Sequence, residues 1–397
     1  MYVYRSIIDI FGRHVDLINL FVKCIYLIYK NKHMATAFNS TQPHPLAILP
    51  PQHDIETRAV LKACISARAA VAELRAAGML IPNQGVLVNS IPLLEAQASS
   101  EIENIITTAD RMFLFDAANE ADVDTATQEA MRYREALWLG FKSLDEYPLT
   151  TRTAVDVCRV IKGVNLDIRK TSGTHLLNDR TGEVIYTPPE NESHLRDLLG
   201  NWEHFMQNES DIDPLIRMAV GHYQFEAIHP FVDGNGRTGR VLNLLYLVEQ
   251  KLLDLPVLYL SRYIVQNKSD YYRLLLQVTS HDTPEAWDAW VRYMLEAVTQ
   301  TAQWTTRKIH AIKQLIDVTA ERVRRDAPGI YSREFVELIF ERPYCRIGHV
   351  IEKNIAKRQT AAIYLKKLVD IGVVREQKVG REKLFVNQSL MDLLKRD

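Results

Sequence analysis

Apolar positions along the chain recur mostly every three or four residues, the period of helices that bury one face. Glu56 to Ala77 is Ala-rich and amphipathic, and Gly78 follows it, the pattern of a helix closed by a C-terminal glycine. Asn89 to Thr107, Ala130 to Lys142 and Arg152 to Lys162 keep the same period. Leu215, Met218, Ala219, His222 and Phe225 mark a further helix that Pro230 stops. Val241 to Leu253 is apolar on nearly every side, as expected of a helix buried all round. Trp287, Trp290 and Met294 lie on the last helix of this core. The period changes in one place before residue 370: His175 to Leu177 and Glu183 to Tyr186 read as short strands joined across Asn178 to Gly182, a hairpin with a glycine-bearing turn. The predicted fold class is mainly α.

Length bounds the organisation. A chain of 397 residues with 47% apolar content suffices for two or three ordinary domains. Residues 1–33 stand apart: Ile7 to Tyr29 is rich in Ile, Leu, Phe and Tyr, but Asp9, Arg13, His14, Asp16 and Lys23 interrupt it. No uncharged run there reaches the roughly 20 residues of a membrane helix. A basic start and a small-residue cleavage site are also missing, so no signal peptide is read. Met34 opens a more ordinary polar segment, and Phe38 to Pro51, with Pro43, Pro45, Pro50 and Pro51, reads as an extended lead-in. Cys24, Cys64, Cys158 and Cys345 show no C-x-x-C pairing, which fits a reducing cytoplasm and indicates neither a disulfide framework nor a zinc site.

One stretch concentrates chemistry. His229 to Arg240, HPFVDGNGRTGR, sets a histidine, an acid, three glycines and two arginines at the junction of two helical patterns. Gly234 and Gly236 let backbone N–H groups converge on an oxyanion at a helix N-terminus. Arg237 and Arg240 stand i, i+3 on the first turn, where the helix dipole disfavours cations, so a polyanion between them is implied. Asp233 is a hard oxygen ligand suited to Mg²⁺ bridging phosphates, and His229 can take a proton near neutral pH. Gly234, Gly236 and Gly239 satisfy G-x-G-x-x-G, but a helix and a proline precede them where a dinucleotide fold needs a strand. There is no Gly-Lys-Ser/Thr either.

This stretch resembles the signature of the Fic (fido) family, H-P-F-x-D/E-G-N-G-R-x-x-R, at every defining position. The resemblance implies transfer of AMP from ATP, with Mg²⁺, to a Ser, Thr or Tyr hydroxyl of a target protein. By the same resemblance His229 is the base, Phe231 anchors the loop, and Asp233 ligates the metal. Asn235 with the N–H groups of Gly234 and Gly236 cradles the α-phosphate, and Arg237 and Arg240 hold the β- and γ-phosphates. Ser99, Glu103 and Asn104, in SSEIEN, match the family's inhibitory motif S/T-x-x-x-E-G/N, which implies that Glu103 pairs with Arg240 and blocks the γ-phosphate site. The hairpin becomes the target-binding flap, with Tyr186, Thr187 and Pro188 along its edge, and Asn267 and Tyr271 border the adenosine. Two alternatives stay open: removal of AMP at the same site, and a nucleotide-sensing DNA-binding regulator.

Residues 301–397 hold 20 Lys/Arg against 12 Asp/Glu, whereas the whole chain has a net charge of −1. Ile347 to Glu352 and Lys357 to Asp370 read as two short helices, Gly372 ends the second, and Val373 to Gln377 with Lys383 to Val386 flank Gly380 as a hairpin. That order resembles a winged helix. Arg358, Gln359, Thr360, Tyr364 and Lys366 would then face a partner, either duplex DNA or a docked protein. The expected architecture is an N-terminal extension (1–33), an N-terminal helical lobe carrying the inhibitory helix (34–145), a helical Fic core with its β-hairpin flap (146–300) and a C-terminal winged helix (305–397). A homodimer is compatible with the resemblance.

Overall fold

The structure, a computed structural model, describes residues 38–118, 124–178, 181–208, 211–379 and 382–396. The N-terminal extension lies outside the described residues. Fifteen α-helices and two small antiparallel sheets make up the described part, and no described helix is long and apolar enough to cross a membrane. The fold is mainly α.

The first described helix, α1 (Arg58–Gly78), is capped by Thr57, whose hydroxyl accepts the Val60 N–H at 3.2 Å. Gly78 does not turn the chain. It stays helical, and the Met79 N–H closes the end on the Ala76 and Ala77 carbonyls. Next come α2 (Gly85–Ile102), α3 (Ala109–Ala118), α4 (Thr125–Ser143) and α5 (Thr151–Lys162), the last closed by left-handed Gly163. The hairpin pairs β1 (Leu176–Leu177) with β2 (Val184–Tyr186). Beyond it lie α6 (Glu192–Asn208), α7 (Pro214–Ile228) and α8 (Asn235–Glu249).

Helix α8 is the apolar helix of the sequence and is buried over nearly its whole length, against α4 and α5 on one side and α7 on another. Trp202, Phe205, Phe225, Phe231, Tyr246 and Trp290 fill the surrounding core. Side chains of this size stabilise by about 1.5–3 kcal/mol each when fully buried. Two short helices, α9 (Leu260–Gln266) and α10 (Lys268–His281), lead into α11, which runs from Pro284 to Asp326 without a break. Helix α11 packs along α1. It passes through residues 300–305, where the sequence pattern suggests a domain boundary. Trp304, Thr305, Ile309 and Ile312 are buried, so core packing continues across that point.

The C-terminal region follows as α12 (Arg333–Glu341), β3 (Tyr344–Cys345), α13 (Ile347–Glu352), α14 (Arg358–Asp370), β4 (Arg375–Val379), β5 (Glu382–Val386) and α15 (Gln388–Lys395). The sheet order is β3-β5-β4, with a helix-strand-helix-helix-hairpin sequence, the arrangement of a winged helix. Gly372 ends α14 in the left-handed conformation. On α14, Arg358, Gln359, Thr360 and Lys366 are exposed. Tyr364 departs from the expected outward set, its ring lying 5.8 Å from that of Phe335. Cys64, Cys158 and Cys345 are buried and free.

Candidate active site

Helix α7 delivers His229 to the site through an uncommon backbone. His229 is left-handed at φ 50° and ψ 59°, while its N–H still bonds the Phe225 carbonyl at 3.1 Å. A non-glycine residue there costs about 1–2 kcal/mol and needs support from outside. Arg169 supplies it. Its buried guanidinium donates to the His229 carbonyl at 2.8 Å, to the Ile228 carbonyl at 3.4 Å and to the Pro189 carbonyl, and its own N–H bonds the Pro230 carbonyl at 2.9 Å. Burial pushes the His229 imidazole down to about 4, more than the backbone of Glu226 raises it, so the ring is a neutral base at physiological pH.

The loop then folds on Asn235. Its side-chain oxygen accepts the Phe231 N–H and its amide donates to the Phe231 carbonyl, both at 2.8 Å. Both polar ends of the Asn235 side chain are thus spent on loop shape. Phe231 is buried beside Phe225, ring centres 6.3 Å apart. Left-handed Gly234, φ 91°, turns the chain into α8.

Arg237 and Arg240 are both nearly fully buried on the first turns of α8. Arg237 donates to Glu129 at 2.8 Å, and its Nε has no partner among the described residues. Arg240 is clamped by the end of α2: Nε donates to Ser99 Oγ at 2.8 Å, and one terminal nitrogen donates to the Ser99 carbonyl at 2.9 Å and to Glu103 Oε1 at 2.7 Å. Burial alone would lower the Arg240 pKa, but Glu103, Tyr271 and Glu226 outweigh it and hold the guanidinium charged. Gly236 makes this pairing possible, since a Cβ there would lie 2.3 Å from Glu103 Oε1. Asp233 stands exposed at the loop and pairs with Lys162. Against the upward push of partial burial, Lys162 and Arg237 hold its carboxyl below the ordinary range.

Glu103, His229, Gly236, Arg240 and Tyr271 line one cavity of about 670 Å³ together with the hairpin residues Leu177 and Ile185, whereas Asp233, Gly234, Asn235 and Arg237 are not among its lining residues. A neutral imidazole, the start of α8 and an arginine paired with a carboxylate therefore share one space. The donor set suits a polyphosphate.

Residues 61–142 match the Fic/DOC family N-terminal model, residues 153–247 the Fic/DOC family model, and residues 315–390 the model described as protein adenylyltransferase SoFic-like, C-terminal domain. The chain belongs to the Fic/DOC family. A "Probable protein adenylyltransferase" of Aquifex aeolicus is 40% identical over 77 residues, 19% of this chain and 23% of that protein. Protein adenylyltransferase Fic of Drosophila virilis is 35% identical over 89 residues, 22% of this chain and 17% of the relative. The matched stretch thus spans less than a quarter of these curated relatives. A crystal structure of a Fic family protein from Desulfovibrio desulfuricans shares the fold at a TM-score of 0.52 and 16% identity, over 87% of this chain and 98% of that one.

Some of the remaining expected residues fall differently from their sequence reading. Tyr186, Thr187 and Pro188 do not form an open edge: all three are buried. The Tyr186 hydroxyl donates to the Ala227 carbonyl at 2.7 Å, the Thr187 hydroxyl donates to the Ser40 carbonyl at 2.6 Å, and the Thr187 carbonyl accepts from the His44 N–H at 3.0 Å. They root the flap, while Leu177 is exposed at its tip. Asn267 turns its amide back to the Tyr263 carbonyl at 2.9 Å and lies outside the cavity lining. Tyr271 does line it, its hydroxyl 2.8 Å from His222 Nε2. Asn104 adopts φ 60° just past α2, and Lys268 donates to its side chain at 3.2 Å. Arg169, Lys162, Glu129 and Glu226 escaped the sequence reading. Each sits on a helix or loop remote from the motif or on the apolar-looking helix before it, and no local pattern marks them.

Proposed function

We propose that this Fic protein transfers AMP from ATP to a hydroxyl side chain of a target protein and is held in check by Glu103. The observation that carries the reading is the juxtaposition of neutral His229 with the clamped Arg240 in one cavity. In the step proposed, the target hydroxyl oxygen attacks the α-phosphorus. A new O–P bond forms, the bond to the β-phosphate oxygen breaks, pyrophosphate leaves, and the hydroxyl proton passes to the His229 imidazole. The backbone N–H groups at the start of α8 and the two arginines take up the phosphate charge. Asp233 is the side chain that would hold a magnesium ion, freed from Lys162, and a single carboxylate completed by phosphates and water suits that ion. Bound there, the ion would neutralise phosphate charge.

Regulation follows from the same contact. While Glu103 occupies Arg240, a γ-phosphate lacks its guanidinium, and the α-phosphate sits out of line for attack from the flap side. ATP still binds, and the rate suffers. Incubation with α-labelled ATP and magnesium tests this: label on protein supports transfer, and its absence from both the wild type and a Glu103→Gly variant contradicts it.

A further inference from the structure

The C-terminal winged helix has no task in the reaction above, and its charge is concentrated. Residues 353–383 hold nine Lys/Arg against three Asp/Glu, in a chain whose net charge is −1. They cover the turn between α13 and α14, the whole of α14, β4 and the start of β5. Lys357, Arg358, Lys366, Lys367, Lys378 and Lys383 are all exposed in the intact chain. Among the described residues only Lys383 of these six forms an ion pair, with Glu376 at 2.7 Å.

Helix and hairpin present these cations together. Helix α14 packs on α13 and on β4. The Glu376 carboxyl on β4 is held below its ordinary value by Lys383 and then by Lys366 of α14, so the two elements meet at this acid. Lys378 and Lys383 stand directly opposite each other across the two strands. Like charges so placed repel. Helix α14 likewise opens on Lys357 and Arg358 with no acidic residue in its first turn. Cations crowded in this way, most of them without a counter-charge, make a surface suited to a polyanion.

We propose that this region binds duplex DNA, with α14 in the major groove and the β4–β5 hairpin along the phosphate backbone. Charge favours DNA over a docked protein. A one-sided excess calls for an equally one-sided partner, whereas protein interfaces are anchored mainly by buried aromatic and apolar side chains. Among the described residues of α13, α14 and the hairpin, Ile351 and Ile363 are the only exposed large apolar side chains, and no aromatic one is exposed. Shape favours DNA over duplex RNA. An α-helix enters the B-form major groove, but the deep, narrow groove of A-form RNA shuts it out. Gln359 and Thr360, exposed on the first turn of α14, supply the uncharged polar groups that reach base edges, while the lysines and Arg358 neutralise phosphates.

Fluorescence anisotropy with the full chain and a mixed-sequence DNA duplex of about 30 base pairs tests this between about 50 and about 200 mM salt. With four or more of the six cations on phosphates, affinity should fall at least about 100-fold over that range. Lys366→Gln with Lys367→Gln should bind at least about tenfold more weakly at the low-salt end and reduce the slope of log affinity against log salt by about two. Lys170→Gln with Arg273→Gln removes the same charge from exposed positions on the Fic core and should leave affinity and slope nearly unchanged. An RNA duplex of the same sequence should bind at least about tenfold more weakly than the DNA. Absence of binding at low salt, equal binding of the RNA duplex, or equal weakening by the two pairs of substitutions overturns the proposal. The salt and RNA comparisons use the wild-type chain and decide the matter even where a variant does not fold. The readout does not depend on AMP transfer.

Discussion

At His229 a left-handed backbone and a neutral imidazole are imposed on one residue by the same buried neighbours. Because burial sets its pKa at about 4, the base is already deprotonated across the neutral range. The transfer rate of a Glu103→Gly enzyme should therefore hold its acid side flat down to about pH 5 and fall as pH drops through 4. An acid limb near 6.5 in the pH-rate profile would contradict this environment. His229→Ala should lower transfer by about 10²–10⁴ while calorimetric ATP affinity is kept, since the ring handles a proton and grips no phosphate. Arg169 gives a sharper check, because its charge also lowers the His229 pKa. Arg169→Met should cut kcat, leave the KM for ATP nearly unchanged, and move the acid limb upward. An unmoved limb would mean that Arg169 is packing alone. At this scale the motif was legible because its residue types and spacing are chemically odd. Arg169 was not: it meets His229 60 residues away through backbone carbonyls, which no side-chain pattern announces.

The contact between Glu103 and Arg240 depends on where α2 stops. The apolar period runs on through Ile105 and Ile106 and suggests a helix to Thr107, yet the helix ends at Ile102 and Ile106 is 73% exposed. The stop lies in Asn104, whose left-handed backbone lets the Ile105 N–H return to the Ser100 carbonyl at 3.0 Å. Hydrophobic periodicity carries no information on that turn. The residue type does, since Asn and Gly are the residues that enter it readily, and this gives a physical reason for either at the end of the motif. Asn104→Val should cost about 1–2 kcal/mol and raise basal transfer by loosening Glu103, whereas Asn104→Gly should do neither. Thermal melts and label incorporation would show it, and equal behaviour of the two variants would remove the turn from the account. The flap offers the opposite lesson. Its strands were legible from alternation, but Tyr186 and Thr187 faced inward because the segment near Ser40 and His44 covers them, a contact between residues nearly 150 apart.

Across the whole molecule, α11 joins the Fic core to the winged helix as one 43-residue element. The change in composition near residue 300 suggested a boundary. What the sequence did not reveal is that Trp304, Ile309 and Ile312 are core residues of that continuous helix. Truncation after residue 300 should therefore lower thermal stability and solubility, and truncation after Ala327 should do so less. Indistinguishable melting of the two proteins and the full chain would show that the core does not need the rest of the helix. The pairing of Glu103 with Arg240 likewise ties the N-terminal lobe to the Fic motif. Removing the carboxylate leaves Arg240 its two bonds to Ser99, so Glu103→Gly should cost only about 1–3 kcal/mol, part of it recovered with magnesium ATP.

The measurement that bears most directly on the account is incorporation of α-labelled AMP into protein at saturating magnesium ATP. It compares wild type, Glu103→Gly, Glu103→Gly with Arg240→Ala, and Glu103→Gly with His229→Ala. The account predicts low incorporation in wild type, a clear rise in Glu103→Gly, most visible as self-modification, and loss of that rise in both double variants, because all three residues act on one bound nucleotide. A Glu103→Gly protein no more active than wild type, or one whose gain survives removal of Arg240, would contradict it.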